Sequence, residues 1–179
     1  MTKRQNPHPP IEPVAGRPYM PDYKVPLDQG DRDLIPWDWA VERLARSENY
    51  WIATTQSDGR PHMAPVWGIW LEGIFYFSTG PRSRKARNLV GNPHCVICPE
   101  SATEPVIVEG IAEKVIDPLL LERFAEAYSK KYQWPTGTTS EGILDQHGNT
   151  GPVFAVRPHV VFGWSEFPRD ATRWVFDTG

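Results

Sequence analysis

From Pro36 onward the apolar positions of the chain fall into two rhythms. Trp37, Ala40, Val41 and Leu44 recur at i, i+3, i+4 and i+7, so a short helix opens the folded part. The run from Tyr50 to Trp70 is β-rich and divided by Asp58-Gly59, a strong two-residue hairpin signal; a turn at Leu71-Glu72-Gly73 leads into a third strand, Ile74 to Thr79. Cys95 to Cys98 begins another strand, expected to pair with Val106 to Val115, both buried. Asp117-Pro118 supplies an N-cap and a first-turn proline for a helix with the core stripe Leu121, Phe124, Ala125, Tyr128 and Tyr132 and an i, i+4 pair of Glu126 and Lys130. Residues 134 to 151, rich in Gly, Thr, Asn and Asp, are expected to form a long loop at an active-site rim or dimer contact. Val153 to Trp164 and Thr172 to Phe176 supply the last strands, with no internal repeat and no second domain.

Residues 1 to 35 break both rhythms. Pro7, Pro9, Pro10, Pro13, Pro18, Pro21 and Pro26 deny this stretch regular hydrogen-bonded structure, so it reads as an arm ahead of a single domain, 36 to 179. Tyr19, Met20, Tyr23 and Val25 give the arm apolar groups to bury, which favours partial ordering.

The most informative stretch runs from Tyr76 to Leu89. A strand ends in Ser78-Thr79, Gly80-Pro81 breaks it, and Pro81 suits the start of a helix whose free N–H groups and positive dipole end face outward. Ser78, Thr79 and Ser83 offer hydroxyl donors, while Arg82, Arg84, Lys85 and Arg87 concentrate cations in a chain of net charge −3. The pattern suits a phosphate; taken alone, it also suits a solvated helix face. Pro65 lies inside a strand, where a proline marks an edge or a bulge and frees neighbouring backbone groups.

The order DGRPHMAPVW, hydrophobic strand, FST, SRKARNL and NP, then EGIAE, KKYQW, FGW and ATRW, resembles the flavin-binding split-barrel superfamily, from about Trp37 to Phe176. That superfamily includes pyridoxamine 5′-phosphate oxidase and its flavin- and deazaflavin-dependent relatives. The resemblance implies a mainly β fold with flanking helices: a six-stranded split β-barrel of Greek-key type, homodimeric, with cofactor sites at the subunit interface. It carries over His62, Met63, Ala64, Pro65, Val66 and Trp67 as contacts to the isoalloxazine ring, with a plain barrel strand as the competing reading. It carries over Ser78 and Thr79 to the ribityl and phosphate groups, Arg84 and Lys85 as the phosphate pair, and Trp164 as an aromatic reaching the flavin from the second subunit. A core tryptophan is the other reading of Trp164. The implied cofactor is FMN; the alternative is the deazaflavin coenzyme F-420, whose acidic tail would engage Arg82 and Arg87.

Two departures bear on the substrate. The position of the family enzyme's substrate-phosphate lysine is Trp67 here, and its C-terminal Arg-x-His motif is replaced by Arg173-Trp174-Val175, which argues against vitamin B6 oxidation. The resemblance therefore implies an oxidoreductase acting on another small organic molecule, the alternative being a protein that stores or carries the cofactor. No catalytic acid, base or nucleophile is assigned, because the cofactor carries the hydride chemistry.

Composition narrows the remaining classes. No run of about 18 apolar residues and no secretory leader is visible, so the chain is expected in the cytoplasm without a membrane partner. The mild acidity argues against nucleic acid. Cys95 and Cys98 stand three apart in a strand, on opposite faces, too far for a disulfide and expected as buried thiols. His8, His62, His94, His147 and His159 show no metal-ligand spacing, and none has the context of a haem ligand; His147 is a candidate pocket residue.

Overall fold

The computed structural model describes residues 12–23 and 32–177. Its elements are β1 (Val14–Gly16), α1 (Trp37–Arg46), β2 (Tyr50–Thr55), β3 (Pro61–Val66), β4 (Gly68–Leu71), β5 (Ile74–Ser78), α2 (Arg84–Gly91), β6 (His94–Pro99), β7 (Val106–Lys114) and α3 (Pro118–Tyr132), followed by β8 (Thr136–Thr139), β9 (Gly142–Asp145), β10 (Thr150–Gly151), β11 (Val153–Gly163) and β12 (Thr172–Val175). The fold is mainly β and antiparallel. Nine strands share one sheet in the order β1-β12-β11-β7-β6-β2-β3, with β5 on β11 and β4 on β5, and β8, β9 and β10 form a small second sheet.

The long strand β11 organises the main sheet. One of its edges pairs with β7 along its whole length; the other pairs with β5 at Val153–Val156 and with β12 at Val160–Gly163. Strand β3 ends the path and pairs with β2 alone, so the edge expected from Pro65 is present. A single residue, Trp67, separates β3 from β4.

Side chains alternate across this sheet into two cores. Phe75, Phe77, Phe154 and Val156 point into one cluster with Tyr50, Ile52, Ile97 and Trp174, capped by α1 through Ala40 and Leu44. Tyr76, Val153 and Ala155 point the opposite way, onto Leu121, Phe124, Ala125 and Tyr128 of α3. Helix α3 starts as its sequence prescribes, with the Asp117 carboxylate accepting from the Leu119 N–H. No ion pair forms between Glu126 and Lys130 among the described residues.

Three expectations are corrected. The arm is not devoid of hydrogen-bonded structure: the proline-free run Val14-Ala15-Gly16 adds an edge strand to β12. Tyr23 meets Phe167 edge-on at 4.8 Å, while Tyr19 is 91% exposed; Val25 lies outside the described residues. The stretch 134 to 151 is not a long loop but largely the β8–β10 sheet, whose strands pair across short turns at Ser140-Glu141 and 146–149. Finally, α2 begins at Arg84 rather than Pro81. The Ser83 hydroxyl accepts from the Ala86 N–H and caps the helix, leaving Gly80-Pro81-Arg82 as a turn closed by Ser83 N–H to Gly80 C=O at 2.9 Å.

Candidate functional site

The cationic helix packs its Ala86 and Leu89 into the core and turns its charges outward. Arg43, Arg46, Arg60, Arg123, Arg157 and Arg169 each pair with a carboxylate; Arg82, Arg84, Lys85 and Arg87 pair with none among the described residues. Arg84 donates instead to the Gln56 amide oxygen at 2.9 Å, just before the β2–β3 turn. Lys85 is half-buried, and burial holds its ammonium below the ordinary lysine range. Four cations outside any ion pair, beside the first-turn N–H groups of Arg84 and Lys85, make this an anion-seeking region of the described surface.

The hydroxyls divide their work. The Ser78 hydroxyl donates to the carbonyls of Pro152 (3.1 Å) and Gly151 (3.3 Å), so its single proton is spent within the protein. Gly151 permits this approach, since a Cβ there would lie 2.8 Å from Ser78 Oγ. Thr79 and Ser83 share one hydrogen bond of 3.1 Å, leaving one proton of that pair for a ligand.

Arg84 and Arg87 line a cleft of about 810 Å³ between α2 and the β2–β3 turn, with Arg60, Gln56, Asn88 and Asn92. Sequence reasoning assigned no role to Gln56, Asn88 or Arg60; Arg60 and Asn88 lie within the DGRPHMAPVW and SRKARNL segments, but the three meet only when the turn folds onto the helix. Asn88 fixes that packing: its amide donates to Thr54 Oγ1 at 2.9 Å, and Thr54 reaches the His62 carbonyl at 3.4 Å. A smaller cavity of about 400 Å³ shares Thr55 with the cleft and opens between β2, β6 and β7 over Ala53, Val96, Glu109, His94 and His159.

Along β3, His62, Ala64 and Val66 lie on the side of Tyr50, Ile52 and Thr54, with Val66 buried, whereas Met63 (62% exposed) and Pro65 face outward. Trp67 stacks on Tyr132 at 4.6 Å with an interplanar angle of 3°, and Tyr128 and Trp134 each lie 6.2 Å from it. His147 is exposed against Trp134 at 5.4 Å. Trp164 is not brought to these residues. It follows the far end of β11 and packs on Phe167 at 5.4 Å, whereas Ser78 pairs with Val153 at the near end, on the order of 30 Å away along the strand. Cys95 is buried and Cys98 half-buried, both free; burial pushes the Cys95 thiol up to about 12.

The sequence pattern of the pyridoxamine 5′-phosphate oxidase family matches residues 38–165, from α1 through β11. The chain belongs to that family. Family membership places it in the flavin-binding split-barrel superfamily, and solved structures share the fold. A conserved hypothetical protein from Mycobacterium tuberculosis aligns at 24% identity over 74% of this chain and 86% of its own, with a TM-score of 0.60. An F420 reductase aligns at 24% identity over 67% of this chain and 93% of its own, with a TM-score of 0.51. An FAD-binding protein from Mesorhizobium loti aligns at 15% identity over 80% of this chain and 96% of its own, with a TM-score of 0.56. A search of curated proteins finds no match. Among the described residues, no helix of this family member is long and apolar enough to cross a membrane.

Proposed function

We propose that the chain is an oxidoreductase that holds FMN at the cationic helix and acts on a small organic molecule in the cytoplasm. The observation that carries this reading is the set of four cations without carboxylate partners around the start of α2. Arg84 and Lys85 would hold the terminal phosphate, with the free Thr79–Ser83 proton completing the contact; Arg82 and Arg87 would serve the longer acidic tail of a deazaflavin. Bound there, the cofactor supplies hydride transfer, while the chain binds, orients and shields it. His62 to Trp67 would form the ring-side wall. On this reading the six strands of the split barrel would be β2, β5, β6, β7, β11 and β3–β4 counted as one strand bent at Trp67.

The assembly proposed is a homodimer with the cofactor at its interface. Met63, Ala53, Val96, Glu109, Val160 and Val175 are register partners across six strands, and Glu109 is the only charge in that outward row. A solvated antiparallel face would alternate to polar residues there. The arginine cleft runs onto this face through Thr55, and Trp164 of one subunit would reach the site of the other.

The test is titration of Arg84→Ala/Lys85→Ala with FMN and riboflavin. Two charge-assisted contacts contribute about 1.5–3 kcal/mol each when desolvated, so FMN affinity should fall at least about 100-fold while riboflavin barely changes. Equal losses for both ligands, or none, would overturn the phosphate assignment.

A further inference from the structure

We infer that Lys131 is a positioning residue for the Trp67 wall: its ammonium ties the β3–β4 break to α1 and β2, and the indole keeps its place only while that proton is held. The wall itself rests on the function proposed above; the hydrogen-bond count does not.

The ammonium has three acceptors for its three protons. Lys131 Nζ donates to Tyr50 Oη at 2.9 Å, to the Gly68 carbonyl at 3.1 Å and to the Ala45 carbonyl at 3.5 Å. It lies 4.9 Å from the Tyr50 ring centroid and 5.4 Å from that of Tyr132. Tyr50 Oη must accept from Lys131, because its own proton goes to the Leu44 carbonyl at 2.5 Å. The Leu44 and Ala45 carbonyls close the C-terminal turn of α1, where a cation is favoured.

The next link is Tyr132, whose hydroxyl accepts from the Gly68 N–H at 2.8 Å. It has one proton for two carbonyls, Glu48 at 2.7 Å and Gly68 at 2.9 Å. While Lys131 serves the Gly68 carbonyl, the Tyr132 proton is free for Glu48. A neutral amine has two uncharged protons for three acceptors, so its pull on the Gly68 carbonyl weakens and the Tyr132 proton is drawn between its two carbonyls. The ring that moves is the one on which Trp67 stacks. Gly68 packs directly on Phe75 and admits no side chain, since a Cβ there would fall 2.1 Å from the Phe75 ring.

Burial favours loss of this proton at accessible pH, and the charged groups around Lys131 oppose it. Burial lowers its ammonium to about 8, against the weaker pull of Glu48 and Glu100, neither of which pairs with it. Burial keeps the Tyr50 and Tyr132 hydroxyls protonated throughout that range.

Labelling the eight tryptophans with 5-fluorotryptophan, assigning Trp67 by Trp67→Phe, and recording fluorine NMR against pH without added cofactor tests this directly. The Trp67 resonance should titrate with a midpoint near 8 in the wild type, not titrate in Lys131→Met, and hold its low-pH position through about pH 10 in Lys131→Arg. A flat wild-type resonance, or an unchanged titration in Lys131→Met, would overturn the inference. In ligand titrations, Lys131→Met should weaken FMN and riboflavin by the same factor, about five- to tenfold, because the phosphate site is untouched. A loss confined to FMN, or no loss, would remove the role at the ring wall. Failure of the wild type to bind either flavin would overturn the proposed function and leave the fluorine titration to decide the role of Lys131.

Discussion

Two regions of one sheet's outward face have opposite fates. Over β4, β5 and the first half of β11, outward residues such as Tyr76 and Ala155 are sealed by α3 and the β8–β10 sheet. Over β3, β2, β6 and β7 the outward row is apolar but for Glu109, and open, with Met63 62% and Trp51 42% exposed. The same binary pattern thus makes a core where the chain supplies a cover, and an accessible apolar face where it does not. The cationic helix and its cleft stand at the border of the open face, which is where a site shared between subunits would lie.

The covered face should be the costliest to damage. Phe124 is fully buried against Tyr76 and Tyr128, so Phe124→Ala should lower unfolding free energy by about 3–5 kcal/mol in denaturant titration. On the open face the same kind of insult should spare the fold and strike assembly. Val96→Arg should keep its melting temperature within a few degrees yet sediment at the 20.4 kDa protomer mass, with association weakened at least about 100-fold, or 2.7 kcal/mol. A variant that still dimerises would place the interface elsewhere. At the border, Ser83→Ala removes the α2 cap and should cost about 1 kcal/mol, with a smaller loss of FMN than the Arg84/Lys85 variant shows.

A separate expected effect is the pH dependence contributed by Lys131. Its folded-state value near 8 lies below that of an unfolded lysine, about 10.4, so between them the unfolded chain binds more protons and folding stability rises with pH. Below about 8 the full desolvation cost is present. Wild type should therefore gain stability relative to Lys131→Met from about pH 8 to 10 in parallel melts; a loss over that window would mean that the ammonium is better solvated than its neighbours imply.

Much of this was legible where a local signal and the tertiary need agree. The period of α1, the Asp58-Gly59 turn with Gly59 at φ +85°, and the Asp117 cap of α3 stand where the residues put them. The arrangement of the site was less so. Ser83 competes with Pro81 for the helix start, and a capped N–H outweighs a merely tolerated proline. Nothing local singles out Gln56 or Asn88, and only the packing of α2 on the hairpin gives them partners. The threonine-rich β8 and the short Gly-Ile-Leu-Asp of β9 show no apolar alternation, so no periodicity separates strand from loop there.

The central claim is that the cationic helix holds the phosphate of a flavin-type cofactor. The most direct measurement is the mass and absorbance spectrum of the small molecule released when the purified protein is denatured. The account predicts a yellow, phosphorylated flavin or deazaflavin that is lost from the Arg84→Ala/Lys85→Ala protein. A haem, or a flavin without phosphate retained equally by that variant, would contradict it.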